Sequence, residues 1–519
     1  MKRSIMMNRI VQYCVISIVF LFHGHHAALA DVTLPAVINH NMVLQRDQAL
    51  PIWGWADADE AVNVALGDNS ATTKADAQGN WSVKLKPMQA DGGKTAHTLI
   101  IKGKNEIKLQ NILIGEVWVC SGQSNMEWSV SGTLNAQKEI EDANHPAIRL
   151  FQVPKRPAAQ PEKDVRANWV VCSPQTVGGF SAVAYFFARH LQTETGLPIG
   201  VINTSWGGTR IEPWTPAQGF RLVPELAKHA DWADQSNKNY AKAQLDALAD
   251  YRKWLPLAND AEREGKPIPA PPQWPINPVA SHNSSTGLYN GMVAPLVPYA
   301  IAGAIWYQGE SNRGNGMHYL ELSKALIGGW REVWKQETNK EFPFLIVQLA
   351  PYNYGNNPTA LPEIWEAQTA CLTAIPNTGL AVTTDIGDVK DIHPRNKQEV
   401  GRRLALWALA KTYGKTDLVY SGPLFKSLTV DGKKAIITFD HIGSGLAVRD
   451  KKPLTHFQIA GEDKVFVPAK AEIVGDTIEV EATTVTKPVA VRFGWDHMAE
   501  PNLINKEGLP AGPFRTDKW

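Results

Sequence analysis

Apolar and polar residues follow three different patterns along the chain. Between Asp31 and Asn111, short alternating runs (Met42–Leu44, Pro51–Trp55, Ala61–Ala65, Trp81–Leu85, His97–Ile101) recur with Gly, Asp and Asn between them. Alternation at that spacing predicts a β-sandwich accessory domain over residues 31–111, with its tryptophans in the core. From 112 to 415, strand-like runs (Val117–Cys120, Ile199–Asn203, Ile301–Tyr307, Phe344–Leu349, Leu380–Thr384) alternate with amphipathic helical periods (Ser181–Glu194, Met317–Gln336, Pro362–Ile375). Such alternation predicts an α/β fold, a mostly parallel sheet covered by helices on both faces, with functional residues at the C-terminal strand ends. In the first helix Val183, Phe186, Phe187, His190 and Leu191 share a face, so His190 reads as structural. Residues 223–278 interrupt the order with charged, Ala-rich helical sequence and a Pro-rich return, which predicts a helical insertion. Residues 416–519 return to alternation and predict a C-terminal β-rich domain.

Composition refines this picture at the termini. Lys2, Arg3 and Arg9, the apolar run Ile10–Phe22 and the small residues Ala28-Leu-Ala30 read as a secretory signal peptide over residues 1–30, which places the mature chain in the periplasm or outside the cell. Its removal takes three of 52 basic residues and none of the 51 acidic ones, leaving a net charge of about −2 that argues against nucleic acid as a partner. No later run is apolar enough to predict a membrane partner. His23-Gly-His-His26 lies inside the signal, and no metal motif follows, so neither metal nor cofactor is expected. Cys120, Cys172 and Cys371 contain no Cys-x-x-Cys and read as buried thiols rather than as a Cys120–Cys172 bridge.

Chemistry-bearing residues collect at four strand ends. Glu116-Val-Trp-Val-Cys-Ser-Gly-Gln-Ser-Asn-Met-Glu127 is a strand that ends in a sharp turn at Gly122 and delivers the hydroxyl of Ser124. Asn203-Thr-Ser-Trp-Gly-Gly-Thr-Arg210 brings backbone N–H groups near a ligand through Gly207 and Gly208. Trp306-Tyr-Gln-Gly-Glu-Ser-Asn312 and Gly387-Asp-Val-Lys-Asp-Ile-His-Pro394 complete the set, with His393 held in a loop just before a helix. These parts suit acyl transfer, because a neutral serine needs an imidazole within hydrogen-bond reach and the tetrahedral oxyanion needs preorganised donors. Candidate donors are the N–H groups of Ser124 and Gly208 and the side-chain amides of Gln308 and Asn312. Arg210 is a candidate for a substrate carboxylate, and Trp206, Trp214, Tyr289 and Trp306 are candidates to flank a substrate ring.

In this order, Gly122-Gln-Ser-Asn-Met126, Ser205-Trp-Gly-Gly-Thr209, Trp306–Asn312 and Asp391-Ile-His-Pro394 resemble the bacterial sialate O-acetylesterase family of the SGNH hydrolase superfamily, which is related to acetylxylan esterases. The resemblance implies a flavodoxin-type α/β/α sandwich, Ser124 as nucleophile, His393 as base and an acetylated carbohydrate, above all O-acetylated sialic acid, as partner. Acetylxylan or another hemicellulose is the rival substrate, and a catalytically inactive carbohydrate-binding protein the rival from another class. Two positions depart from the family pattern. The superfamily's acid usually lies three residues before the histidine, where this chain has Lys390, and its oxyanion asparagine corresponds most nearly to Glu310. The partner of His393 is therefore open among Asp391, nearest in motif position, Glu310, Asp388 and a backbone carbonyl.

Overall fold

A computed structural model describes residues 31–279 and 281–519. The proposed signal peptide and its histidine tract lie outside the described residues. One strand, β1 (Glu106–Gly122), organises the rest. Its first half pairs antiparallel with His97–Lys102 and parallel with Val43–Gln45, and its second half pairs with two strands of the central sheet. The N-terminal β-structure and the α/β region therefore share a strand that runs through position 111, and their apolar residues form one continuous core.

The central sheet adds β2 (His145–Gln152), β3 (Trp169–Cys172), β4 (Ile199–Ser205), β5 (Gly303–Tyr307), β6 (Phe344–Val347) and β7 (Thr378–Ala381), in the spatial order β7-β6-β5-β1-β4-β2-β3. All neighbours are parallel except the edge pair β2/β3. β1, β4, β5 and β6 are buried throughout apart from the first half of β1, which explains their unbroken apolar runs. Alternation sends Trp118 of β1 against Phe187 on one face and Trp306 of β5 against Trp214 and Trp330 on the other.

Helix α1 (Ser124–Glu127) follows β1 directly. On the Trp118 face α2 (Ala182–Thr195) packs against α6 (Lys397–Lys411), where Gly401 lets the backbones touch, since a Cβ there would stand 2.6 Å from Phe187 N. The other face carries α4 (His318–Trp334) and α5 (Ala360–Ala374). α2 is bounded as its sequence requires: the Ser181 side chain accepts from Ala184 N–H, and Gly196 closes the end in the left-handed region. The insertion is α3 (Ala227–Arg263), 37 residues with Pro256 inside, followed by an extended return. The return reaches back to the central region, where His282 stacks on Trp206 and the Asn283 side chain accepts from Arg210 N–H at 2.9 Å.

The C-terminal residues form separate antiparallel sheets around a core of their own. They dock through Arg515 on Glu366 and through Arg449, which donates to Asp385 O at 3.0 Å. Cys120, Cys172 and Cys371 are free and buried, and burial pushes the Cys172 and Cys371 thiols up to about 12. Among the described residues, no helix is long and apolar enough to cross a membrane.

Candidate active site

The turn after β1 is built for a glycine. Gly122 has φ +142°, and a Cβ there would stand 2.2 Å from the carbonyl oxygen of Tyr307 on β5. Either fact alone disfavours a side chain; together they exclude one without a shift of β5. Gln123 locks the next position: its N–H donates to Tyr307 O at 3.0 Å, and its side-chain oxygen accepts from Gly309 N–H at 3.3 Å and Ser311 N–H at 3.4 Å. Ser124 then opens α1, so its own N–H is one of the donors a helix start leaves without an intrahelical partner. Its side chain faces an open cleft of about 480 Å³.

His393 meets it there. The Nε2 of His393 lies 2.9 Å from Ser124 Oγ, across 269 positions of sequence. The imidazole is held on its flat side by Trp128, at a centroid distance of 4.8 Å and an interplanar angle of 17°. Asp391 is the carboxylate nearest the far nitrogen, but its Oδ1 is 3.9 Å from Nδ1 and instead accepts the His393 backbone N–H at 2.9 Å. Asp388 is turned to the Lys390 N–H. Burial, and secondarily Lys397, lower the pKa of His393 below its ordinary value, against a smaller opposing pull from Asp391.

Glu310 does not reach the imidazole. It is buried and accepts in a network beneath the histidine loop: Asn125 Nδ2 donates to Glu310 Oε1 at 2.6 Å and to Ile392 O at 3.0 Å, and Lys397 Nζ donates to Asn125 Oδ1 at 2.5 Å. Asn125 thus ties the helix that carries Ser124 to the residue preceding His393. Burial lowers Lys397 to about 7 and raises Glu310, while Lys397 also faces the Tyr307 ring at 5.2 Å.

The proposed oxyanion amides have other duties. Gln308 Nε2 is directed at Asn312 Oδ1 at 2.8 Å, Thr209 O at 3.0 Å and Gln123 Oε1 at 3.2 Å, and Asn312 Nδ2 donates to Glu212 at 3.0 Å. Both are buried and bind the strand ends to one another instead of lining the cleft. Of the glycine pair, Gly207 lies beside Ser124. A Cβ on Gly207 would stand 3.1 Å from that of Ser124, the Gly207 N–H donates to Glu127 Oε2 at 2.7 Å, and Gly208 is exposed with φ +75°.

Of the sugar-flanking candidates, Trp214 and Trp306 are core residues and Tyr289 is buried in a helical turn, away from the cleft. Arg210 pairs with Glu212 at 3.0 Å. Trp206 is half-buried at the edge of the site, with Lys155 Nζ 5.7 Å from its ring centre. The cleft is instead lined by Glu127, Trp128, Gln152, Lys155, Asn203 and Ser205 beside Ser124 and His393. Lys155 pairs with Glu127 at 2.5 Å, and Asn203 donates to Gln152 at 2.8 Å while accepting from Ser205. Glu127 and Trp128 were legible as neighbours of the serine motif. Gln152 ends β2, a strand the apolar pattern did not single out, and Lys155 follows it.

Residues 114–246 match the family model described as carbohydrate esterase, sialic acid-specific acetylesterase. The chain is 31% identical over 439 residues to the sialate O-acetylesterase of Rattus norvegicus, covering 78% of each, and 28% identical over 519 residues to that of Homo sapiens, covering 92% of this chain and 91% of the relative. Among solved structures it resembles a carbohydrate acetylesterase from Xanthomonas citri, with 37% identity, a TM-score of 0.80, and coverage of 94% of this chain and all of the other. The chain belongs to the sialate O-acetylesterase family and is a carbohydrate esterase.

Proposed function

We propose that the chain is an exported serine esterase that removes acetyl groups from O-acetylated sialic acid, with Ser124 as nucleophile and His393 as general base. The observation that carries this reading is the 2.9 Å contact between His393 Nε2 and Ser124 Oγ at the mouth of an open cleft. In the first half-reaction Ser124 Oγ attacks the acetyl carbonyl while Nε2 takes its proton. The sugar hydroxyl leaves with that proton, and acetyl-Ser124 remains. Water, deprotonated by the same nitrogen, then releases acetate and restores the serine. We assign oxyanion stabilisation to the N–H groups of Ser124 and Gly208, since Gln308 and Asn312 are committed elsewhere. Asp391 is the carboxylate we assign to the imidazolium, acting through charge at 3.9 Å.

The sialate reading is supported by the family relatives, which carry that substrate in their names. A fluorophosphonate should label the wild type at one equivalent and leave Ser124→Ala unlabelled. Acetate release should be faster from 9-O-acetylated sialic acid than from acetylated xylan. Equal or faster release from xylan would overturn the substrate assignment while leaving the serine chemistry intact.

A further inference from the structure

Beside the active-site cleft lies a second groove, of about 710 Å³, that shares Lys155 with it. Its charged lining comprises Lys155, Arg156, Lys163 and Arg166 against only Glu162 and Asp164. The carboxylates do not balance the cations. Glu162 pairs with Arg156 at 2.9 Å, and an oxygen of Asp164 is occupied by the N–H groups of Ala36 at 2.7 Å and Val165 at 2.8 Å. Lys163 donates to the amide oxygen of Asn80 at 3.3 Å and lies within charge range of Asp76, and Arg166 is exposed with no side-chain partner among the described residues. A concave, cationic surface on a chain with nearly equal acidic and basic content is a local feature, suited to an anion.

Its position says which anion. Lys155 is one side chain away from the nucleophile: it pairs with Glu127, which holds the Gly207 N–H against Ser124. A sialic acid acetylated on its side chain carries its carboxylate and its glycosidic bond at the opposite end of the sugar. With the ester at Ser124, that end extends away from the nucleophile. We propose that the groove beyond Lys155 is a subsite for an anionic saccharide linked to the acetylated sugar, with Lys163 and Arg166 as the cations that receive its carboxylate. This rests on the sialate reading above, and it adds a preference for acidic oligosaccharides over the free monosaccharide.

The test compares kcat/KM for free O-acetylated sialic acid and for its α2,8-linked dimer, at low and high salt, in the wild type and in Lys163→Gln/Arg166→Gln. Hydrolysis of p-nitrophenyl acetate, too small to reach the groove, measures the amount of folded active enzyme. The wild type should favour the dimer at low salt by about tenfold, the scale of two exposed ion contacts, and the preference should shrink at high salt. The double variant should lose that preference through KM. An unchanged dimer-to-monomer ratio in the variant would overturn the subsite. Loss of both sialates as substrates, with p-nitrophenyl acetate still hydrolysed, would overturn the sialate reading and the subsite with it.

Discussion

At His393 the imidazole is fixed by shape more than by charge. Trp128 covers one face, and the loop is pinned through Asn125 to Ile392 O. The Asp391 carboxylate, 39% exposed and 3.9 Å away, is placed to act on the imidazole only through solvent-screened attraction. Asp391→Asn should therefore lower kcat by about tenfold, well short of the ~10⁴-fold that follows loss of a buried, hydrogen-bonded triad aspartate. A loss below twofold would leave the carboxylate without a role. The pH profile belongs to the same scale. His393 must be neutral to act as base, and its pKa is held below the ordinary 6.5 by burial first and by Lys397 second. The acid limb of kcat/KM should thus fall below pH 6.5. Lys397→Met removes one lowering influence, so its acid limb should move up; an unmoved limb would show that Lys397 does not act on the histidine.

Among elements, the decisive contact is α2 on α6, because α6 begins four residues after His393. Asn396 caps it by accepting Glu399 N–H at 3.2 Å, and Gly401 lies against Phe186 and Phe187. Gly401→Ala should destabilise the fold by about 1–3 kcal/mol through overpacking, read as a lower Tm. It should also reduce kcat, since the displaced helix carries the histidine loop with it. The serine has a comparable neighbour in Gly207. Gly207→Ala places a methyl 3.1 Å from Ser124 Cβ and 3.3 Å from Glu127 Oε2, and kcat should drop by at least tenfold with Tm nearly unchanged. The helices and strands around these contacts were legible to within a few residues wherever apolar residues repeated strongly, as in α2, α4 and α5. The last two strands at one side of the sheet, β2 and β3, were not, because part of each faces outward and Pro146 and Arg149 break the run in β2.

For the whole molecule, β1 is the constraint. A boundary near 111 follows from the change of pattern in the sequence, yet the strand carries both sheets through it, and the two share one core. A chain beginning at Ile112 would lose the pairing of β1 with His97–Lys102 and its cover from Val43–Gln45. It should fail to fold, while the full chain should unfold residues 31–415 in a single transition. Two separate transitions for those regions would count against this. The C-terminal sheets have their own core and should survive as a distinct unit.

The sequence by itself determined the alternation of strands and helices, the glycine turn before Ser124 and the loop that presents His393. Each depends on local backbone preference or on periodicity, and both are written in neighbouring residues. It did not determine which amides are free and which carboxylate faces the imidazole. Gln308, Asn312 and Glu310 look like site residues by motif, but tertiary packing buries them and commits their hydrogen bonds to Thr209, Glu212 and Asn125. Lys155 carries no motif of its own and reaches the cleft only because β2, β4 and β1 lie side by side. A buried polar group must find a partner, and which partner it finds depends on residues a hundred or more positions away.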